Sequence, residues 1–173
     1  MALEQSFIAA DKNLHDLKGF DCGKSPMNEF LARYAIKHSK LGLSNTYVLC
    51  ECEHKGDGDK KPVAAYFTLA SSTVVRGDIP AEQSLPVYPI PVVMLARLAI
   101  SKDYQGEGLG AKTLIYALRQ AVNLSHAGLP AHGLILDVLD DDALQFYQHF
   151  DMFRPFTNNP MRLFVSMKTL EGI

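Results

Sequence analysis

The first sustained period along the chain begins at Ser25. Met27, Phe30, Leu31, Tyr34 and His38 recur at helical spacing, with Ser25 as N-cap, Pro26 at the first helical position and Gly42 as terminator. Asn45–Glu53 and Val63–Val75 are instead rich in β-branched and aromatic residues, and both predict strands. Between them His54–Lys61, polar with two glycines, predicts a hairpin tip. Arg76–Pro91 carries Pro80, Pro86, Pro89 and Pro91, so it reads as an irregular excursion. Val92–Ile100 is apolar apart from Arg97, which predicts a central strand buried on both faces. A helix over Gly108–Ser125 follows, with Leu114, Ile115, Leu118 and Val122 on one face. A buried strand at Gly133–Leu139, a short helix at Asp141–Phe150 and a closing strand at Leu163–Thr169 complete the pattern. Strands first, then strand–helix–strand–helix–strand, imply an α/β chain of the α+β type: a mixed sheet with helices on both faces.

Length and composition narrow this picture. A chain of 173 residues suits one compact domain, residues 1–173, and 47% hydrophobic with 21% charged residues is ordinary for a soluble globular protein. No apolar run approaches the roughly 20 residues that span a bilayer, and Met1–Ser6 lacks the basic-then-apolar pattern of a signal peptide. Cys22, Cys50 and Cys52 cannot all pair within one chain and share no metal-ligand spacing with histidine, so they are expected to be reduced thiols in a cytoplasmic protein without a metal. A net charge of −2 excludes a wholly basic nucleic-acid binder, and any RNA contact must come from a local patch.

The candidate chemistry lies in Arg97–Thr113. Gly106, Gly108 and Gly110 fall at alternate positions between a strand and an amphipathic helix. Missing side chains let main-chain N–H groups converge on an anion, and the helix dipole adds favourable potential, so a phosphate or pyrophosphate is the natural ligand. Gly106 with Lys112 and Thr113 nearly fits a P-loop, but Ala111 replaces its second glycine. Gly106, Gly108 and Ala111 also satisfy a dinucleotide fingerprint, but Asn123–Gly128 lacks the acid expected about 20 residues on. Gln105, Gly106, Glu107, Gly108, Leu109 and Gly110 match [QR]-x-x-G-x-[GA] in full, and with the strand and polar spacer before them (Ser101–Tyr104) they resemble the GNAT N-acetyltransferases.

That resemblance implies a mixed, mostly antiparallel twisted sheet of about six to seven strands, and acetyl-CoA as acetyl donor. It implies that Gln105–Gly110 hold the pyrophosphate and that Leu98, Ala99 and Ile100 offer main-chain groups to the pantetheine arm. It also places Phe146 beside the cofactor and Tyr147 next to the thioester sulfur as general acid. One departure stands out: Asp151 and Met152 follow where the family often has Gly-Phe, and aspartate tolerates a left-handed backbone there. Asp140, Asp141 and Asp142 sit at a helix start and read as caps, and His126 and His132 as solvent-facing residues flanking a Gly-Leu-Pro turn.

Phe20, Asp21, Cys22 and Gly23, with Asn45–Glu53, Tyr66–Leu69 and Arg97–Ala99 in matching order, resemble more narrowly the tRNA-acetylating toxins (the TacT and AtaT relatives). This implies acetylation of the aminoacyl amine of charged tRNA, a homodimer and a ribbon-helix-helix antitoxin. Arg33, Lys37 and Lys40, at i, i+4 and i+7, form a candidate stripe for RNA phosphates, to which Arg76 is added. Two rivals remain open: a GNAT enzyme acting on a small amine or a protein N-terminus, and a regulatory module that binds CoA or a nucleotide without turnover.

Overall fold

The computed structural model of the protein describes residues 2–52, 57–80 and 84–173. Its contacts divide the chain into two compact units, Met1–Ala70 with Arg97–Ala117, and Ser71–Ala96 with Leu118–Ile173. In the first unit β1 (Ile8–Ala9) pairs antiparallel with β3 (Asn45–Cys50), and β3 with β4 (Lys61–Val74). A two-residue strand, β2 (His15–Asp16), runs parallel to the start of β4. In the second unit Val92–Leu95 of β5 (Ile90–Ile100) pair in parallel with β6 (Gly133–Asp137), which pairs antiparallel with β8 (Asn159–Ser166), and β8 with β7 (Arg154–Phe156). The described strands number eight, in a mixed, mostly antiparallel arrangement. The additions to the sequence reading are β1, β2 and β7, each too short for a period to announce.

Val63–Leu69 of β4 is buried at every position, so the strand sealed on both faces is β4. β5 was expected to hold that place, but only Ile90, Val92, Leu95 and Ala99 of it are buried. β5 meets β6 over Val92–Leu95, yet Val93 and Met94 inside that ladder are half-buried, as are Ala96–Leu98 beyond it, so side-chain cover on each face and not main-chain pairing decides burial here.

The first helical region is less regular than its pattern. α1 (Ser25–Glu29) leads into a π-helical turn (Phe30–Tyr34) and then α2 (Ala35–Lys40). The Ala35 N–H donates to the Phe30 carbonyl, five residues back, and the wider turn buries Phe30, Leu31 and Ala35 while leaving Tyr34 41% exposed. The N-cap position is held by Lys24, whose side chain makes no capping hydrogen bond to the helix, and not by the expected Ser25, which already lies in the first turn with Pro26. Gly42, at φ +73°, closes the region.

α3 (Leu109–His126) buries Leu114, Ala117, Leu118 and Ala121, with Ile115 and Val122 at the margin of that stripe. α4 (Asp141–Gln148) and α5 (Met167–Leu170) lie in the second unit. Part of the expected hairpin tip at His54–Lys61, and part of the Arg76–Pro91 excursion, lie outside the described residues. Cys22 and Cys50 are buried free thiols and Cys52 an exposed one; burial pushes the Cys50 thiol up to about 12. No described helix is long and apolar enough to cross a membrane.

Candidate functional site

The glycine segment lies in the first unit, where three elements hold it. A 3-10 turn at Lys102–Tyr104 joins the end of β5 to the loop. The Ser101 N–H donates to the Ala64 carbonyl at 2.8 Å, the Lys102 N–H to the Asp21 carbonyl at 2.9 Å, and the Tyr104 hydroxyl to Glu51 Oε1 at 2.7 Å. Desolvation and the Glu51 carboxylate keep that phenol protonated well above the ordinary tyrosine range. The Leu109 side chain is buried against Leu49, Ala64 and Ala65, which fixes the first turn of α3.

Gly106 and Gly108 have φ of +82° and +83°, a region that costs side-chain-bearing residues about 1–2 kcal/mol. A Cβ built at either would meet nothing within 4 Å, so conformation and not crowding requires glycine there. The N-terminus of an 18-residue helix comes next, with first-turn N–H groups that have no intrahelical acceptor. An open, left-handed loop against such a terminus suits an extended anion of the pyrophosphate kind. Glu107 is exposed on the loop, and Gly110 lies within the first turn of α3.

Gln105 has a structural task that the motif alone does not reveal. Its Nε2 donates to the carbonyls of Cys22 at 2.9 Å and Ile100 at 2.8 Å, tying the loop to both the Phe20–Gly23 segment and the end of β5. That segment is itself braced. Asp21 Oδ1 accepts from the Gly23 N–H and from Asn28 Nδ2, both at 2.9 Å, and Lys102 Nζ stands 3.3 Å from its Oδ2; these bonds hold the carboxyl below its usual range. Phe20 packs edge-on against the buried Tyr66, whose hydroxyl donates to the Met27 carbonyl. Phe20–Gly23 carried a resemblance in the sequence but no mechanism; here it braces the loop. Its Asp-x-Gly spacing, an Asx-turn signature, is the signal that was available. Leu98 and Ile100 are half-buried, and Ala99 is packed in the core beside Phe20 and Tyr66.

Tyr147 lies in the second unit, on α4. The Asp140 side chain caps this helix by accepting from the Ala143 N–H at 2.9 Å, with Asp141 and Asp142 exposed in the first turn. The Tyr147 ring is buried edge-on between Phe146 (5.1 Å) and Phe153 (5.7 Å). Burial alone raises its pKa well above the ordinary phenol, with no hydrogen bond contributing. Phe146 is half-buried and meets Phe150 in the same edge-on manner. After α4 the chain turns without the left-handed residue anticipated at Asp151, since Asp59 is the one described non-glycine with positive φ; the Phe150 N–H closes the turn on the Tyr147 carbonyl.

Arg33, Lys37 and Lys40 are all exposed in the first unit, and Arg33 is 3.7 Å from Glu29. Arg76, in the second unit, donates to the Leu85 carbonyl at 2.8 Å and braces the proline-rich excursion. His126 is exposed, whereas His132 departs from expectation: it is half-buried and stacked on Phe164 at 5.9 Å.

No family model matches the chain. It is 32% identical over 161 residues to a tRNA-acetylating toxin of Mycobacterium tuberculosis, covering 91% of this chain and 90% of that protein. Among solved structures, a Tyr-to-Phe mutant of KacT superposes with a TM-score of 0.85 at 28% identity, covering 99% of both chains. AtaT complexed with acetyl-methionyl-tRNAfMet gives 0.83 at 29%, covering 98% and 97%. A Tyr-to-Phe mutant of AtaT bound to the C-terminus of the antitoxin AtaR and acetyl-CoA gives 0.79 at 27%, covering 99% and 97%.

Proposed function

Since the chain belongs to the family of tRNA-acetylating toxins, we propose that it transfers the acetyl group of acetyl-CoA to the free amine of the aminoacyl moiety on charged tRNA. The observation that carries the donor half is the braced glycine loop, open at Gly106 and Gly108 and backed by the helix terminus. Acetyl-CoA bound there supplies an activated thioester carbonyl. Main-chain N–H groups of Gln105–Gly110 bind the pyrophosphate, and Leu98–Ile100, beyond the end of the β6 ladder, offer main-chain groups to the pantetheine arm. Phe146 lines the arm, and Tyr147 holds a proton for the departing thiolate.

A dedicated base is not demanded by this acceptor. An α-amine ionises near pH 8, against about 10.4 for lysine, so a useful fraction is neutral at physiological pH. Arg33, Lys37, Lys40 and Arg76 supply phosphate contacts on a molecule whose net charge of −2 would otherwise repel RNA. Its site of action is the cytoplasm, where both substrates occur, and an antitoxin is its expected protein partner.

The test is incubation with labelled acetyl-CoA and total charged tRNA, followed by mass analysis of the released aminoacyl-adenosine. An N-acetyl label on particular amino acids is the expected result. Bound acetyl-CoA with unlabelled tRNA would move the acceptor to a small amine or a protein N-terminus.

A further inference from the structure

Arg97 projects from β5 as a half-buried cation with no acid to answer it. Its Cζ lies 4.2 Å from the centroid of the Phe30 ring, and among the described residues its guanidinium makes no hydrogen bond or ion pair. Five donors in a fixed fork that is partly withdrawn from water favour an acceptor of charge, and the planar fork matches a phosphate. Phe30 is the first residue of the π-helical turn, a distortion that concentrates at functional sites. From Phe30 an aromatic row runs outward: His38 meets Phe30 at 5.4 Å and Tyr34 at 6.0 Å. Tyr34, at the end of that row, is 41% exposed.

A half-buried guanidinium beside aromatic rings, one of them open to solvent, is the composition that holds single-stranded nucleic acid: the cation takes a phosphodiester and the exposed ring stacks a base. Position on the strand separates this from the donor's phosphates. Gln105 ties the glycine loop to Ile100, and Arg97 stands three residues back, about 10 Å along an extended strand. It therefore adjoins Leu98, at the acyl end of the segment assigned to the pantetheine arm.

Resting on the reading of charged tRNA as acceptor, we propose that Arg97 is a positioning residue. Its guanidinium binds a backbone phosphate of the acceptor's single-stranded 3′ end, with Tyr34 as the stacking surface for a base.

The experiment compares two acceptors: charged tRNA, and an aminoacyl-adenosine that carries the amine and base but no phosphate. Arg97→Gln is expected to lower kcat/KM for charged tRNA about ten- to hundredfold, mainly through KM, as loss of a charge-assisted bond implies. It should leave the aminoacyl-adenosine within about twofold. Arg97→Lys, which keeps the charge without the fork, should fall between. Tyr34→Ala should weaken both acceptors. Acetyl-CoA affinity and thermal midpoint, measured on each variant, report folding and the donor site. Equal losses on both acceptors, or no loss on either, would overturn the proposal while leaving the tRNA reading intact. A wild-type protein that labels neither acceptor would remove the tRNA reading, and this assignment with it.

Discussion

Tyr147 combines two properties that pull against each other in an ordinary core residue. Its ring is sealed by Phe146 and Phe153, yet among the described residues no hydrogen bond acts on the hydroxyl. A phenol held above its usual range stays protonated at working pH, so its proton is in place when negative charge develops on the departing sulfur. Tyr147→Phe is expected to cut kcat about 10²–10⁴-fold while calorimetry shows unchanged acetyl-CoA affinity. Stability should hardly move, because an unpartnered oxygen is removed. Intact kcat with weakened acetyl-CoA binding would make the residue a binding one. His15 shows the other use of a buried titratable group. It is buried, its Nδ1 accepts from the Asp11 N–H at 3.0 Å, and desolvation lowers its pKa below 6.5 despite opposing carboxylates at Asp11 and Glu4. Between the folded value and 6.5 the unfolded chain binds more protons, so stability rises with pH through that window and levels off above it. The denaturant midpoint should fall as pH drops from about 7 toward 5. His15→Gln should flatten that decline, and an unaltered slope would assign the acid sensitivity to other groups.

Among the elements, the glycine loop owes its shape to residues far away in sequence. Its glycines were legible because only they accept φ near +82° without strain, and the helix behind them was legible from its stripe. The brace was not: the Cys22 carbonyl that Gln105 reaches lies 83 positions earlier, and no local period encodes such a pair. Gln105→Ala removes both donations, which is worth about 1–3 kcal/mol of stability. Acetyl-CoA affinity should weaken about tenfold as the loop loosens, while kcat at saturation is retained. A kcat loss at saturation would show that the side chain acts in the reaction itself. The π-helical turn was illegible for a related reason. Met27, Phe30, Leu31 and Tyr34 fit an ordinary helix, and packing selected the wider turn that buries Phe30 and Ala35 and exposes Tyr34.

At the scale of the molecule, a polyanionic acceptor meets a protein of net charge −2, so attraction must come from a few local cations. Salt dependence measures how many. Plotting log KM for charged tRNA against log salt, Lys37→Gln should reduce the slope by about one. Lys18→Gln, at an exposed lysine outside that helical region, should not. Equal slopes for wild type and Lys37→Gln would take α2 out of the RNA surface.

The sequence by itself determined what depends on short-range order. Helices and strands of ordinary length follow from period, the left-handed loop from glycines needed at positive φ, and the cap of α4 from Asp140 three residues before Ala143. Tertiary structure decided what depends on long-range pairing. It made β4 and not β5 the fully buried strand, because burial depends on which elements cover each face and not on the strand's own apolar run. It tied Phe20–Gly23 to the glycine loop and set Arg97 on Phe30 with no acidic partner among the described residues. Such outcomes turn on which distant groups satisfy one another once water is excluded, and composition and spacing do not carry that information.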